Sequence, residues 1–243
     1  MPGLARDERA GDRTPLVSPD PLLAIQLSVA VGIASTVATL PPALACAWAL
    51  ARWRFRGKSF VSAVMLAPLV LPPVVTGLVL LRAFGRASLV GGWLASLGWP
   101  VTFSLTGAVL AASVVGFPLY VIAIRSAFEA VDRRLEEVSW TLGVPPPQTF
   151  RRVTLPLALP GIAAGMVLAF ARGLGEFGAT AVIAGNMEGR TRTIALAVYT
   201  LLDAPDGDAA LRILLLGSVG LSLCALLGFE ALTRWQRRRL ELE

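Results

Sequence analysis

The chain of 243 residues is strongly apolar: 55% of its residues are hydrophobic, only 16% are charged, and its mean hydropathy is +0.69. Soluble domains carry about 25% charged residues, so the composition excludes an ordinary soluble globule, a disordered chain and a coiled coil. The absence of histidine excludes imidazole-based catalysis and histidine metal sites, and the isolated Cys46 and Cys224 argue against a disulfide framework or a thiolate cluster.

The first segment, residues 1–21, is polar and of mixed charge. It lacks the short apolar core and the small-residue cleavage site of a signal peptide. We expect a disordered leader here, followed by one transmembrane domain over 22–235 and a basic cytoplasmic tail over 236–243.

Long apolar stretches make up most of the remaining chain. A transmembrane helix needs about 20 apolar residues, because the hydrocarbon core is about 30 Å thick and a helix rises about 1.5 Å per residue. The sequence therefore predicts an all-α, polytopic membrane protein. Its five predicted transmembrane helices lie at about 22–51, 60–81, 103–124, 157–184 and 211–230.

Prolines interrupt the first two of these spans, at Pro41 and Pro42 and at Pro68, Pro72 and Pro73. An internal proline removes a backbone hydrogen bond and clashes with the preceding turn. In a bilayer the freed carbonyls need partners from neighbouring helices, side chains or water. The pattern predicts kinked spans, which either shape helix packing or line a cavity.

The fourth span carries small residues every four positions, at Gly161, Gly165, Ala169 and Gly173. Such a face allows close approach of another helix. It could also leave room for a substrate. We predict that Gly161, Gly165 and Gly173 mediate helix packing.

Arg172 and Glu176 are the only formal charges inside the predicted spans, apart from Arg212 and Glu230 at the two ends of the fifth. Their i, i+4 spacing places them on one helix face, and Arg172 lies about 20 Å from the cytoplasmic start of the span. Because an ionisable pair at depth is costly, we predict a translocation pathway or gate formed by Arg172, Glu176, Phe177 and Thr180. The alternative is a helix that ends early at the neighbouring glycines and leaves a solvated pair at the outer surface.

The positively charged residues, which give the chain its net charge of +6, cluster in three segments, 52–58, 125–156 and 234–239. With five spans, all three fall on one side of the membrane, which the positive-inside rule makes the cytoplasm. The N-terminus is then outside and the C-terminus cytoplasmic. The basic charge thus reflects membrane topology rather than nucleic-acid binding.

The loop 130–156 contains Leu135, Val138 and Leu142 at helical spacing, followed by Gly143 and a run of prolines. The pattern predicts a short amphipathic helix. Such a helix either projects beyond the bilayer and presents a face to another protein or lies on the membrane surface.

This loop resembles the signature of permease subunits of binding-protein-dependent ABC importers: Glu-Ala-Ala, three residues, Gly, nine residues, then Ile-x-Leu-Pro. The matching positions are Glu137, Val138, Ser139, Gly143, Val153, Leu155 and Pro156, with Val and Ser replacing the two alanines. The resemblance implies the ABC importer type I permease fold, in which the loop forms a coupling helix that docks on a cytoplasmic ATPase. The coupling residues that it implies are Leu135, Glu136, Glu137, Val138, Ser139, Thr141, Leu142, Gly143, Phe150, Val153, Leu155 and Pro156.

Two further segments, 171–180 and 189–199, resemble molybdate permease subunits, and the core Arg-x-x-Gly-Glu-Phe-Gly at 172–178 is also similar to sulfate permeases. This resemblance covers about 22–235. It implies a bacterial inner-membrane homodimer, surrounded by lipid, that works by alternating access with two ATPase subunits and a periplasmic or lipoprotein oxyanion-binding protein. Molybdate is the expected substrate, with tungstate and sulfate or thiosulfate as alternatives.

The chain contains no G-x-x-x-x-G-K-[ST] motif, so we expect it to bind no cofactor and to rely on ATP hydrolysis by a partner. An ion-coupled secondary transporter would explain the charged pair but not the loop signature, and its uptake would persist without ATP. An intramembrane enzyme is disfavoured because the spans hold neither a histidine nor a pair of carboxylates. A purely structural membrane subunit would leave the charged pair unexplained.

Overall fold

A computed structural model describes residues 20–202, 204 and 207–241, with side chains to Trp235 at the C-terminal end. Residues 1–19 of the predicted leader lie outside the described residues, as do positions 242 and 243 of the predicted tail. Within the predicted tail, the last helix continues to Glu241.

Regular structure in the described residues is entirely helical. The helices are α1 (Pro21–Arg52), α2 (Lys58–Val70), α3 (Pro73–Phe84), α4 (Leu89–Ser96), α5 (Leu105–Glu129), α6 (Arg133–Thr141), α7 (Pro146–Thr149), α8 (Leu155–Leu174), α9 (Gly178–Ile183), α10 (Ile194–Leu201) and α11 (Asp208–Glu241). A π-helical segment, Phe150–Thr154, joins α7 to α8.

Four helical stretches of the described chain are long and apolar enough to cross a membrane: Pro21–Arg52, Leu105–Glu129, Pro146–Leu174 and Asp208–Trp235. The bent pair α2 and α3 qualifies as a fifth when the two helices are taken together. The all-α fold with five spans predicted from the sequence is thereby confirmed. The first and third predicted spans, 22–51 and 103–124, correspond to α1 and α5.

The second predicted span, 60–81, is not one helix. It consists of α2 and α3, whose axes meet at 109°. Pro72 and Pro73 cause the break, because a residue that precedes proline is pushed out of the helical region. Leu71 and Pro72 accordingly have extended ψ angles of 140° and 132°.

The fourth predicted span, 157–184, is also broken. Helix α8 starts earlier, at Leu155, and ends at Leu174, and the short α9 follows after Gly175. Gly173 and Gly175 weaken the helix at this point. The Glu176 carboxylate then accepts a hydrogen bond from the backbone N–H of Ala179, as a helix N-cap does, and a new helical turn begins. The fifth span is longer than the predicted 211–230, because polar residues at both ends continue the helix.

Helices α1, α5 and α8 pack against one another and form the centre of the bundle. The small residues of α8 lie at these contacts. A Cβ atom at Gly165 would lie 3.2 Å from Ala123 Cβ on α5, and one at Gly173 would lie 3.6 Å from Gly32 Cα on α1. Gly161 is also buried on α8.

The segments after the two helix breaks cross each other closely. A Cβ atom at Gly77 of α3 would lie only 2.8 Å from Ala179 Cα of α9, and one at Gly178 would lie 2.8 Å from Pro73 Cβ. Only glycine allows both contacts. The two broken spans are therefore packed against each other at their breaks.

Replacing Gly77 with alanine tests this crossing. The added methyl group would press on the backbone of Ala179, and overpacking of this kind costs about 1–3 kcal/mol, so we expect a lower melting temperature for the purified protein in detergent. Gly220→Ala in α11 is the matched control, because nothing lies within 4 Å of its Cβ position. Equal melting temperatures for the two variants would contradict the close crossing of α3 and α9.

Candidate functional site

The helix α6 lies between α5 and α7, at the end of the bundle where α1 and α5 finish and α8 begins; this end is called the α6 end below. Both ends of α6 are capped. The Asp132 carboxylate accepts from the N–H of Arg134 at 2.9 Å. After the helix Gly143 has φ +80°, and the N–H groups of Gly143 and Val144 donate to the carbonyls of Trp140 and Ser139. This is a Schellman motif, which explains why the signature has glycine at this position.

One face of α6 and its cap is exposed. It is formed by Leu135, Glu137, Val138, Trp140, Thr141, Leu142 and Gly143. Leu142 is 77% exposed, and Leu135, Val138 and Trp140 are each more than 40% exposed. Within the described part of the chain the Glu137 carboxylate has no hydrogen-bond or ion-pair partner. The apolar stripe predicted from the sequence thus faces away from the bundle, where it leaves a contact surface for another molecule.

The opposite face of α6 is polar and buried. Glu136 Oε1 lies 2.8 Å from Arg52 Nη2, 3.2 Å from Arg52 Nε and 2.8 Å from Thr154 Oγ1. The hydroxyl groups of Ser139 and Thr149 are 2.9 Å apart. Glu136 and Ser139, which the sequence grouped with the ATPase-coupling residues, therefore point into the protein. The period of 3.6 residues puts neighbouring positions on different faces.

The remaining predicted coupling residues, Phe150, Val153, Leu155 and Pro156, continue from the loop into α8. Phe150 and Leu155 pack against the core, and with Trp48 and two prolines they line an apolar groove of about 510 Å³. The Trp48 and Phe150 rings contact edge to face, with centroids 4.7 Å apart. Val153 is half-buried and Pro156 is exposed.

The second candidate site lies at the break between α8 and α9. Arg172 Nη1 is 3.0 Å from Glu176 Oε2, and the other oxygen of Glu176 accepts from Ala179 N–H at 2.8 Å. The Glu176 side chain is 2% exposed, whereas the Arg172 side chain is 26% exposed. The helix does end early at Gly175, as in the alternative drawn from the sequence. The carboxylate is nonetheless buried rather than solvated.

Phe177 and Thr180 flank this ion pair in different ways. Thr180 is almost fully buried in α9, and the Phe177 ring packs at 5.3 Å from the Tyr199 ring of α10. Gly178, between them, contacts Pro73 at the start of α3. The structure thus joins the predicted gate residues to the second helix break, which the sequence did not associate with them.

A cleft opens at the end of the bundle opposite α6, with a volume of about 680 Å³. Arg86 and Arg190 line it together with polar residues of the segment 100–104. Phe103, at its wall, has φ 53° and donates its N–H to the Ile183 carbonyl at 2.8 Å. None of the described residues that line this cleft carries a carboxylate, so its charge favours anions.

Sequence reasoning missed Arg52, Thr149 and Thr154. Arg52 was assigned to a basic segment that sets topology, and the two threonines had no distinguishing pattern. Arg52 and Glu136 are 84 positions apart, so only the fold could reveal their contact. Across the described residues no cluster of three or more His, Cys, Asp or Glu side chains could hold a metal ion.

Comparison with known proteins supports one family. The profile described as "Binding-protein-dependent transport system inner membrane component" matches residues 43–240. Molybdenum transport system permease protein ModB of Haemophilus influenzae is 45% identical over 218 residues, which are 89% of this chain and 95% of that protein. The ModB proteins of Escherichia coli K12 and Mycobacterium tuberculosis are 46% and 44% identical, over 89% and 83% of this chain and 95% and 76% of theirs.

Solved structures share the fold. A chain of the inward-facing methionine ABC transporter MetNI aligns with a TM-score of 0.70 at 20% identity, covering 88% of this chain and 95% of that one. A bacterial ABC transporter that imports alginate aligns with a TM-score of 0.60 at 16% identity, covering 89% and 79%. Profile, relatives and fold agree, and the chain belongs to the family of inner membrane components of binding-protein-dependent transport systems.

Proposed function

We propose that this chain is the membrane-spanning subunit of an ATP-driven importer that translocates molybdate, delivered by an extracytoplasmic oxyanion-binding protein. The observation that carries the proposal is the identity of 44–46% to ModB proteins over more than four fifths of the chain. The cleft lined by Arg86 and Arg190, which favours anions, supports an oxyanion as cargo.

The energy for transport comes from a partner chain. This sequence has no phosphate-binding loop motif, and the exposed apolar face of α6 offers the contact surface that an ATPase subunit requires. In the assembly that we propose, two copies of this chain form a homodimer within the lipid and bind two cytoplasmic ATPase subunits. The chain itself binds no cofactor.

The orientation follows from the distribution of charge. The α6 end carries the basic segments 52–58 and 125–156, so it faces the cytoplasm, and the C-terminus lies on the same side. The cleft with Arg86 and Arg190 then opens to the outside, where the binding protein releases its anion. The N-terminus is on that outer side as well.

The Arg172–Glu176 pair acts in this proposal as part of the gate. A buried ion pair holds its two elements together, because opening it exposes uncompensated charge in a medium of low dielectric constant. Glu176 links the end of α8 to the start of α9, and α9 contacts α3 through Gly178. A movement of α8 driven from the α6 end therefore reaches both helix breaks.

Uptake of labelled molybdate tests the function directly. In proteoliposomes that contain the permease, its ATPase and the binding protein, we expect uptake that requires ATP. Unlabelled tungstate, whose size and charge are close to those of molybdate, should compete strongly and sulfate only weakly. Strong competition by sulfate alone would assign the chain to sulfate transport. Uptake without ATP would indicate an ion-coupled transporter.

Substitutions on the exposed face of α6 test the coupling role. Glu137→Arg reverses a charge at the proposed ATPase contact, and Gly143→Asp strains the left-handed cap, so both should lower uptake while ATP hydrolysis continues. Gly98→Asp is a matched control, because Gly98 has φ +81° and open space around it but lies away from α6. Normal uptake by both α6 variants at normal expression would contradict the assignment.

Charge reversal tests the gate. Arg172→Glu and Glu176→Arg each leave an unpaired charge at depth, which costs about 3–5 kcal/mol, and each should abolish uptake. The double reversal should restore part of the activity, and only part, because an arginine at 176 cannot accept from Ala179 N–H. The same reversals at the Glu188–Arg192 pair, which is more exposed at its carboxylate, serve as the control. Fully active single variants would exclude a gate role.

A further inference from the structure

We propose that Glu136 clamps α6 to α1 and to the start of α8, so that these three elements move as one rigid body, and that Arg52 is the positioning residue of this clamp. The proposal rests on the ATP-driven function proposed above, in which α6 receives the movement of the ATPase. It identifies the contact that passes this movement on to transmembrane helices that are distant in sequence.

One carboxylate oxygen ties three segments together. Glu136 Oε1 accepts from Nε and Nη2 of Arg52, the last residue of α1, and from Oγ1 of Thr154, the last residue before α8. The side chains of Arg52 and Glu136 are only 9% and 6% exposed. Charge-assisted hydrogen bonds to the fork of an arginine fix geometry as well as distance. The contact is therefore directional and not a mere attraction of surface charges.

Backbone contacts strengthen the same junction in both directions. Arg52 Nη2 donates to the carbonyl of Val131 at 3.1 Å, and Arg133 Nη2 donates to the carbonyl of Ala51 at 3.1 Å. Each arginine thus caps a carbonyl of the opposite segment. The end of α1 and the start of α6 are joined by two separate connections besides the ion pair.

Aromatic packing fixes the arginine itself. The guanidinium carbon of Arg52 lies 5.6 Å from the centre of the Trp48 ring, which contacts Phe128 of α5 and Phe150 of the π-helical segment. A cation over an aromatic ring is stabilised further when it is shielded from water. Arg52 therefore has one well-defined position, held from α1, α5 and the approach to α8.

The clamp matters because covalent connections alone would not couple α6 to α1. In sequence α6 is attached to α5 and α7, whereas Arg52 lies 84 positions before Glu136. Separating Arg52 from Glu136 would leave each buried charge without its opposite charge, which is strongly unfavourable. Movement of α6 as one body with α1 and α8 keeps the pair intact and is the path of lower energy.

The adjacent residues Glu136 and Glu137 then have different roles in this proposal. Glu137 is exposed and faces the proposed ATPase contact, whereas Glu136 is buried and faces the transmembrane helices. When the ATPase displaces α6 at its exposed face, the buried face of the same helix moves with it and displaces Arg52 and Thr154. Loss of either side would interrupt the same movement at a different point.

The functional test compares the clamp with an exposed ion pair near the same end. Arg52→Gln and Glu136→Gln each break the buried ion pair and loosen the junction of α6 with α1 and α8. Each should therefore raise the number of ATP molecules hydrolysed per molybdate imported by about fivefold or more. Arg52→Lys, which keeps the charge but not the fork, should give an intermediate ratio. Arg125→Gln and Glu129→Gln are the controls, because that pair on α5 is 36% and 43% exposed. Unchanged ratios in the clamp variants would overturn the proposal.

A distance measurement separates a coupling role from a merely structural one. Spin labels at positions 53 and 134, both exposed, are introduced into the full complex after Cys46 and Cys224 are replaced by alanine. The distance between the labels should be the same without nucleotide and with ATP, while the distance from 134 to a label at exposed position 79 of α3, which packs mainly on α9 and outside the clamp, changes. A change in the 53–134 distance as large as the change in the 134–79 distance would overturn the clamp.

A double variant keeps the test informative if single variants fail to fold. Arg52→Met with Glu136→Met removes both charges at similar volume, which proteins often tolerate without loss of stability. We expect this variant to fold, to show a broader distribution of 53–134 distances and to hydrolyse more ATP per molybdate imported. A narrow distance and normal coupling would refute the role of the pair. Absence of molybdate uptake by the unaltered complex would refute the proposed function instead, while the label distances still decide the clamp.

Discussion

A backbone group that loses its helical partner within a lipid bilayer must find another inside the protein, because hydrocarbon offers none. Two spans of this chain interrupt their helices, between α2 and α3 and between α8 and α9. The first break occurs at Pro72 and Pro73, which have no N–H to satisfy. At the second, the Glu176 carboxylate accepts from a free N–H of the next turn. Each interruption therefore occurs where its cost is low.

The same constraint determines where the breaks lie relative to each other. Glycines at 77 and 178 let α3 and α9 approach until their backbones touch, which places the two interruptions side by side. The Arg172–Glu176 pair belongs to this region. One part of the bundle thus holds the charged pair, the two helix breaks and the close contact at the glycines. Short helices meet there, whereas α1, α5 and α8 pack along long unbroken lengths.

The two buried Arg–Glu pairs of the described chain have related designs at opposite ends of α8. In both, a glutamate side chain that is less than 7% exposed forms an ion pair with an arginine and accepts a hydrogen bond from a second donor. Glu136 joins three segments that are far apart in sequence, whereas Glu176 joins two helices that are neighbours in sequence. Between them runs α8, whose small residues pack closely on α1 and α5. This arrangement offers a continuous connection from the exposed face of α6 to the Arg172–Glu176 pair.

The sequence by itself determined the fold class, the number of spans and the position of the α6 segment, because apolar length, positive charge and helical periodicity are local properties of a chain. Its Gly143 signature corresponds to a left-handed helix cap, which is also a local requirement. The angle of 109° between α2 and α3, the inward face of α6 and the junction of Arg52 with Glu136 were decided only by the tertiary structure. The sequence assigned Glu136 and Ser139 to the same contact as Glu137. Their separation depends on which face of α6 packs against α1 and α8, and partners 84 positions away are brought together only when the whole bundle forms.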